Sequence, residues 1–262
     1  MRTFALKKIR EYYEREALLF ENHQREMYFG NPWNKYWHGT RLHQILKMAK
    51  TVVFESFLDV GCSEGYYLKF IADIQASKEY RVGLDIAKNY LVKAKKDNCD
   101  VSWVLGDAHE LPFRNNSFDL VLCTEVLEHL SIPKKAFVEA TRVARKYVLT
   151  SVAGENLFYF FAKVLRLVKP EHPYAFFGHG HIHEMKISEI IFHWASDVMW
   201  KPVKSVVTCY FPVSFFQKCR IPSFFIPVVK LVDQILGKLP VIKEFGAVQI
   251  ALLEKTVAWM HI

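Results

Sequence analysis

The chain has 262 residues, of which 51% are hydrophobic and 24% are charged, and its formal net charge is +8. This composition is typical of a globular protein and excludes an intrinsically disordered chain. No apolar run is long enough to cross a membrane, and the charged residues soon after Met1 lead us to expect no secretory signal.

The cysteines indicate the redox compartment of the protein, and the charge distribution indicates the kind of partner. Five cysteines without a C-x-x-C pair favour a reduced, cytoplasmic protein. Residues 1–50 hold ten basic and five acidic residues, residues 51–153 hold 13 and 14, and residues 154–262 hold 12 and eight. The basic excess therefore lies in the two flanks. It favours an anionic partner, such as lipid headgroups, nucleic acid or an acidic small molecule, or it serves solubility alone.

Residues 1–50 show helical patterning and no strand patterning. Apolar residues recur near helical spacing from Phe4 to Phe20, and a second helix is predicted after Pro32, ending at about Lys50. Strand patterning begins only after this segment, in the middle third of the chain.

The middle third alternates short apolar runs with helical patterns. Helices are predicted after the first, second and fourth of these runs, as in βαβ units. The predicted strands are 57–60, 80–85, 101–105, 118–123 and 147–152, and two further strands are predicted at 203–210 and 247–254. We therefore predict an α/β fold with a doubly wound, mostly parallel sheet. In such sheets ligands bind beyond the carboxyl ends of the strands.

Glycines and acids follow the first three predicted strands. Gly61 and Gly65 come directly after Asp59, with the spacing G-x-x-x-G, which allows a tight turn but is not a dinucleotide fingerprint. Asp85 ends the second strand, where a carboxylate can accept ribose hydroxyls, and Asp107 ends the third. One such acid is usually a turn or cap residue. Three at successive strand ends indicate a binding site.

These residues lie in four ordered segments that resemble the motifs of class I S-adenosylmethionine-dependent methyltransferases. The similarity is to the branch typified by the ubiquinone and menaquinone biosynthesis methyltransferases. The four segments are 57–65, 83–86, 106–113 and 118–130. Ser63 departs from the family, which often has glycine there. The resemblance implies a Rossmann-like sheet of seven strands, with the seventh antiparallel between the fifth and sixth.

The resemblance also implies a cofactor site for S-adenosylmethionine. Asp59 would orient the ammonium of its methionine portion, Asp85 would hold the ribose and Asp107 would meet the adenine amine. Cys123 would offer its backbone carbonyl, and Cys62 would pack nearby. The implied set is Asp59, Gly61, Cys62, Gly65, Asp85, Ile86, Asp107, Ala108, Cys123, Thr124 and Glu125.

Candidate catalytic residues are histidines. Glu125, Glu128 and His129 are spaced as on one helix face, so His129 could be a general base. The same three resemble a metal-binding triplet of some quinone O-methyltransferases, but a helix-capping role is favoured and no metal is predicted. His181 and His183 belong to an H-x-H-x-H run that could hold a metal, act as a lid, supply a base or form a simple loop.

The flanks are expected to determine the acceptor. We predict a helical lid segment at 1–50 and a methyltransferase domain at 51–262, with insertions at about 154–180 and 211–244. Both insertions mix aromatic and basic residues, among them Phe215, Phe216, Phe224 and Phe225. Such a rim suits an amphipathic acceptor or an anionic membrane surface, and otherwise it would complete the core.

Three functions remain open on the sequence. The favoured one is a cytoplasmic methyltransferase, in peripheral contact with the membrane, that modifies a hydrophobic small molecule or lipid-like acceptor. The alternatives are a tRNA-modifying methyltransferase and a non-catalytic protein that binds S-adenosylmethionine. Phe-rich and Leu-rich basic stretches suit lipid better than stacked bases, so nucleic acid is the less favoured partner.

Overall fold

A computed structural model describes residues 2–74, 80–97, 100–154, 161, 164–165, 183, 185–211, 216–217, 219–240 and 242–256. Most of the predicted insertion at 154–180 lies outside these ranges, as do His181, Phe215 and Cys99.

Seven strands form one sheet in the order β3-β2-β1-β4-β5-β7-β6. β1 to β5 pair in parallel, and β7 runs antiparallel between β5 and β6. The strands are β1 Ser56–Val60, β2 Tyr80–Asp85, β3 Ser102–Leu105, β4 Phe118–Thr124, β5 Ala144–Ala153, β6 Trp200–Thr208 and β7 Val248–Lys255. The doubly wound sheet and the place of β7 are confirmed, and most strand ends lie within a few residues of their predicted positions.

Among the described residues, eight helical elements with complete bounds pack around this sheet. They are α1 Arg2–Leu19, α2 His23–Phe29, α3 Pro32–Ala49, α4 Tyr66–Ile74, α5 Lys88–Asp97, α6 Pro133–Val143, α7 and α8 Ile226–Leu236. α7 consists of Ile187–Glu189, a π-helical turn at Ile190–Trp194, and Ala195–Asp197. Single 3-10 turns occur at Leu127–His129, Ser223–Phe225 and Ile242–Glu244.

The sheet separates two apolar cores. α6 and α7 pack on one face through residues such as Phe137 and Trp194. α3, α4 and α8 pack on the other face, with Ile45, Leu68 and Val229 among the buried side chains. β4 is buried along its whole length because helices cover both of its faces.

The strand register aligns the carboxyl ends of the central strands. Val60 of β1 lies beside Leu84 of β2 and Cys123 of β4, and Asp85 lies beside Leu105 of β3. The residues that follow these strands therefore meet at one edge of the sheet, which is where the site is found.

Side chains from two segments cap each other's helices and fasten the N-terminal helices to the sheet. The Glu14 carboxylate of α1 accepts the backbone N–H groups of Lys88 and Asn89, at 2.8 and 2.9 Å, at the start of α5. Glu64, which follows β1, accepts the N–H groups of His23 and Gln24, both at 2.8 Å, at the start of α2. Helix N-termini carry donors without intrahelical partners, so each carboxylate satisfies donors that would otherwise be orphaned.

The segment after β6 packs against α3. Trp33 stacks on Phe216 with ring centroids 4.2 Å apart, and its indole N–H donates to the Ile221 carbonyl at 2.8 Å. Tyr36 donates its hydroxyl hydrogen to Asp233 of α8. Phe216 is thus buried, which corrects the expectation that it would face an acceptor, whereas Phe224 and Phe225 are exposed.

In the ranges described, no helix combines the length and the apolar character that crossing a bilayer requires.

Candidate active site

A cavity of about 260 Å³ lies where the carboxyl ends of the central strands meet the N-terminal helices. One wall comes from the strand ends, and the facing wall comes from α1, α2 and α3. The strand-end lining includes Gly61, Ser63, Asp85, Ile86, Asp107, Ala108, Thr124, Glu125 and His129, and the helical lining includes Ile9, Tyr13, Met27, Tyr28, Trp37, His38 and Arg41.

The loop after β1 holds three residues in the left-handed backbone region. Gly61 has φ +72°, Ser63 has φ +49° and Gly65 has φ +80°. The N–H groups of Gly61 and Cys62 both donate to the Leu84 carbonyl, at 2.7 and 3.1 Å, which presses the loop against β2. Ser63 therefore occupies a conformation that glycine adopts at lower cost.

Gly61 has no room for a side chain. A Cβ at this position would lie 2.4 Å from Cγ2 of Val126. We expect Gly61→Ala to lower the free energy of unfolding by about 1–2 kcal/mol from backbone strain alone, and by more because of the clash. Denaturant unfolding would measure the loss.

Two further variants separate the causes of that loss. The double variant Gly61→Ala/Val126→Ala should recover the steric part and leave the backbone part. Gly39 is a matched control, because it lies inside α3 and its Cβ would meet nothing closer than Lys35 Cγ at 3.8 Å. Gly39→Ala should raise stability by about 0.5–1 kcal/mol. Equal behaviour of Gly61→Ala and Gly39→Ala would contradict the assignment of strain to the loop.

Asp85 lies on the cavity wall and also braces the loop. Its Oδ2 accepts the N–H of Ser63 and its Oδ1 accepts the N–H of Ala87, both at 2.8 Å. Burial raises the pKa of Asp85 to about 6, although its bonds to backbone N–H groups lower it. A carboxylate offers about four acceptor sites, so Asp85 can accept further hydrogens from a ligand.

Asp59 is a buried carboxylate without a hydrogen-bond partner on either oxygen among the described residues. Burial, and then the charge of Asp85, raise the pKa of Asp59 well above its usual range. Buried polar groups in proteins are almost always satisfied, so this orphaned pair of acceptors requires an explanation. A cationic group bound near Gly61 would supply one.

Asp107 is held in place by a buried histidine. Its Oδ1 lies 2.7 Å from Nδ1 of His109 and accepts the His109 backbone N–H at 2.9 Å. His109 is only 1% exposed, and its Nε2 accepts the N–H of Ile132 at 3.4 Å. The histidine thus connects the end of β3 to the start of α6 and fixes the direction of the Asp107 carboxylate.

A buried ion pair joins α3 to the end of β4. Arg41 Nη1 lies 2.7 Å from Glu125 Oε2, and the Ser151 hydroxyl donates to Glu125 Oε1 at 2.9 Å. Burial lowers the pKa of Arg41, but the attractions of Glu125, Tyr67 and Tyr28 together outweigh this effect, so the pKa lies well above its ordinary value. Arg41 remains charged inside the cavity wall, and Glu125 compensates that charge.

Glu125, Glu128 and His129 do not share a helix face, which corrects the predicted arrangement. Glu125 has φ +55°, and only a 3-10 turn at Leu127–His129 follows it. Glu128 points inward and accepts the Ala153 N–H at 3.0 Å, and burial, then the charge of Glu125, raise its pKa to about 8. Among the described residues, no group of three His, Cys, Asp or Glu side chains is arranged to hold a metal ion.

Of the two candidate histidines that the structure describes, only His129 lies on the cavity wall. Its ring meets the ring of Tyr13 edge to face, with centroids 5.7 Å apart. His183 is half-buried outside the lining, and its backbone N–H donates to the Glu128 carbonyl at 3.2 Å. His181 lies outside the described residues.

Four members of the implied cofactor set do not line the cavity directly. Asp59, Cys62 and Cys123 are buried beneath its wall, and Gly65 closes the loop by donating its N–H to the Cys62 carbonyl at 2.8 Å. The Cys123 carbonyl accepts the Thr150 hydroxyl hydrogen at 2.9 Å, so this carbonyl faces β5. A carbonyl oxygen has a second lone pair, so its predicted role toward an ammonium stays a prediction.

Residues 58–152 match a family described as the methyltransferase domain. This part of the chain is a class I methyltransferase domain. The match spans the strands and loops that build the strand-end wall of the cavity.

Two curated relatives of this domain are named for different methyl acceptors. It is 39% identical over 64 residues to a demethylmenaquinone methyltransferase of Renibacterium salmoninarum, covering 24% of this chain and 27% of the relative. It is 33% identical over 69 residues to a putative 23S rRNA (guanine-N(1)-)-methyltransferase of Bacillus subtilis, covering 26% of this chain and 24% of the relative. The chain thus spans about a quarter of the length of these relatives.

The fold extends beyond the matched domain. The structure of magnesium protoporphyrin IX methyltransferase from Synechocystis PCC 6803, with bound SAH, superposes with a TM-score of 0.64 at 14% identity, covering 95% of this chain and 99% of that one. At this identity the likeness shows the fold of the methyltransferase domain and its flanks.

Sequence reasoning missed several residues around the methyltransferase domain. Glu14, Glu64 and Gln24 fasten the N-terminal helices, and Gln24 Oε1 also accepts the Tyr66 N–H at 3.2 Å. Their partners lie 40 to 75 residues away, so no local pattern reveals them. His109 could have been found, because it lies two residues after Asp107 within one motif.

Proposed function

We propose that this protein is an S-adenosylmethionine-dependent methyltransferase that transfers a methyl group by in-line displacement to a hydrophobic small-molecule or lipid-like acceptor. The observation that carries the proposal is one continuous cavity with two unlike walls. Strand-end acids and a glycine loop form one wall, and aromatic side chains of the N-terminal helices form the other.

The strand-end wall suits the cofactor. Asp85 would accept the ribose hydroxyls, Ile86 would pack on the adenine, and Asp107 would accept the adenine amine. Gly61 would let the loop approach the methionine portion. Asp59, with two unsatisfied buried oxygens, would compensate its ammonium.

The helical wall suits an apolar acceptor. It presents Tyr13, Tyr28 and Trp37, and Met27 and Ile9 add aliphatic surface. Burial against such side chains favours an acceptor with apolar rings or chains. The indole N–H of Trp37 is buried and has no hydrogen-bond partner among the described residues, so it offers a donor to one polar group on that acceptor.

The reaction asks little of the protein. When bound, S-adenosylmethionine supplies a methyl group already activated by its sulfonium. The chain's residues then need to align an acceptor atom and exclude water. His129 lines the cavity and can accept the proton that an acceptor hydroxyl or amine loses. We further propose that residues 1–50 act as the lid over a domain at 51–262.

The proposal predicts that His129 matters for turnover and not for cofactor binding. His129→Gln should lower methyl transfer by about 10²–10⁴-fold if the acceptor carries a proton, since that is the usual contribution of a general base. S-adenosylmethionine affinity, measured by calorimetry, should stay unchanged. His193→Gln is the matched control, because His193 is an exposed residue of α7 outside the cavity.

Labelled methyl transfer identifies the acceptor class. The protein would be incubated with labelled S-adenosylmethionine and a cell extract, which is then separated into organic-soluble and RNA fractions. Label in the organic fraction supports the proposal. Label in RNA would establish the tRNA alternative, and cofactor binding without label in any fraction would establish the non-catalytic one.

A further inference from the structure

α8 and the turns on either side of it carry a stripe of exposed apolar side chains. Each member is at least 41% exposed, and the central members recur at intervals of three or four residues, so they share one helix face. The apolar stripe consists of Phe224, Phe225, Val228, Leu231, Ile235 and Leu239. Large apolar residues gathered on one exposed face mark an interaction surface.

The opposite face of α8 is firmly anchored. Val229 and Asp233 are buried, and Asp233 accepts the Tyr210 N–H at 3.0 Å and the Tyr36 hydroxyl hydrogen. Burial raises the pKa of Asp233 to about 6, and its bond to the Tyr210 N–H opposes that rise. The helix therefore cannot roll to hide the apolar stripe without leaving this carboxylate unpartnered.

The exposed charges of residues 219–240 have one sign. Arg220, Lys230 and Lys238 are exposed on the same segment as the apolar stripe. Between residues 219 and 240 the sequence contains a single acid, Asp233, and that side chain is buried. An apolar stripe with flanking cations complements an anionic surface that has an apolar interior.

We propose that the apolar stripe docks on the surface of a bilayer containing anionic lipids. α8 has 11 residues, too few to span a bilayer but enough to lie in its interface. A protein partner would also bury apolar side chains, but the surrounding cations favour lipid headgroups.

The docking surface connects with the cavity through α3. Tyr36 is bonded to Asp233 of α8, and the next residue, Trp37, lines the cavity. A docked protein would thus hold the helical wall of its cavity close to the membrane, where a lipid-like acceptor is dissolved. This second step rests on the proposed function, whereas the docking itself does not.

Vesicle sedimentation tests the docking. The wild-type protein should bind vesicles of phosphatidylcholine mixed with phosphatidylglycerol more tightly than vesicles of pure phosphatidylcholine. Phe224→Ser/Leu231→Ser should lower binding to the mixed vesicles at least about tenfold, since both side chains leave water on docking. Lys230→Glu should weaken binding to the mixed vesicles and reduce its dependence on salt.

Phe192→Ser provides a matched control. Phe192 is 70% exposed, like Phe224, but it lies on α7, which packs on the other face of the sheet. This variant should bind vesicles as the wild type does. Thermal unfolding of each variant checks that the fold is retained.

If the double variant does not fold, a fluorescent label on the otherwise unchanged apolar stripe tests the docking instead. Cys219 is exposed, whereas Cys62, Cys123 and Cys209 are buried, so a polarity-sensitive fluorophore can be attached to Cys219 in a Cys99→Ser background. Its emission should shift to the blue with mixed vesicles. No shift, or equal vesicle binding by wild type and double variant, overturns the proposal.

Two further measurements distinguish membrane docking from a protein interface and from the proposed methyltransferase function. In one outcome the wild type self-associates in ultracentrifugation but does not bind vesicles, while the double variant stays monomeric. That result would assign the apolar stripe to a protein interface and overturn membrane docking. S-adenosylmethionine affinity is measured on the same samples without vesicles. Failure of vesicle binding with retained cofactor affinity therefore counts against the docking surface alone.

Discussion

Replacing Asp85 should weaken S-adenosylmethionine binding at least tenfold. Charge-assisted hydrogen bonds contribute roughly 1.5–3 kcal/mol each, and about 1.4 kcal/mol corresponds to a factor of ten in affinity. Asp85→Ala removes the carboxylate altogether, and Asp85→Asn keeps the shape but loses the charge. Calorimetric titration of both variants would measure the effect, with thermal unfolding to check the loop that Asp85 braces through Ser63 and Ala87.

Asp119→Asn is the matched control for Asp85. Asp119 is also buried, at 2% exposure, and also accepts a backbone N–H, that of Glu55 at 3.0 Å. It lies near the start of β4, at the opposite edge of the sheet from the cavity. Asp119→Asn should leave affinity unchanged, and an Asp85 variant that binds as tightly as this control would remove Asp85 from the site.

The affinity should also depend on pH through Asp85. Its pKa is raised to about 6 by burial, and the ionised form is the better acceptor for hydroxyl hydrogens. Binding should therefore weaken as the pH falls through about 6, because protonation removes the charge. The same titration with Asp85→Asn should lack this step.

Glu125→Ala should lower the free energy of unfolding by about 3–5 kcal/mol, because it leaves the buried Arg41 guanidinium without its compensating charge. Arg41 is 4% exposed and lies 2.7 Å from the Glu125 carboxylate. Replacing both partners, as in Arg41→Met/Glu125→Gln, should cost much less, since no lone charge remains. Urea unfolding of Arg41→Met, Glu125→Gln and the double variant closes the cycle that gives the coupling free energy.

An exposed ion pair serves as the comparison for this effect. Lys201 Nζ lies 3.2 Å from Glu254 Oε2, with side chains 59% and 37% exposed. Glu254→Ala should cost about 0–1 kcal/mol, because water solvates the remaining lysine. Should Glu125→Ala prove no more costly than Glu254→Ala, the buried pair could not be what holds α3 to β4.

The sequence predicted the strand-end wall far better than the helical wall. Asp85 and Asp107 lie at or just after the ends of short apolar runs that alternate with helical patterns, so their common edge could be inferred. The conformation after β4 could not, because the spacing of Glu125 and His129 suits a helix. The left-handed φ of Glu125, which goes with its bond to Ser151 and its pairing with Arg41, prevents one.

Phe216 and Phe224, both after β6, also show that a sequence pattern cannot predict burial by distant residues. Phe216 and Phe224 occur in similar surroundings of apolar and basic residues, yet one is buried and the other is 70% exposed. The difference is made by Trp33, which lies in α3, far away along the chain, and stacks on Phe216. A pattern read along the chain shows that a side chain is apolar and cannot show which distant ring will cover it.

The exchanged caps attach the N-terminal helices to the rest of the fold at two separate places. Glu14 of α1 satisfies the first turn of α5, and Glu64 after β1 satisfies the first turn of α2. Withdrawing these helices from the cavity therefore leaves the N-termini of α2 and α5 uncapped at the same time. Fraying from a single end releases only one of these attachments. In the lid role proposed above, full opening requires the release of both attachments, so we expect the exchange rate of a bound molecule to follow that opening and to vary little with the size of the molecule.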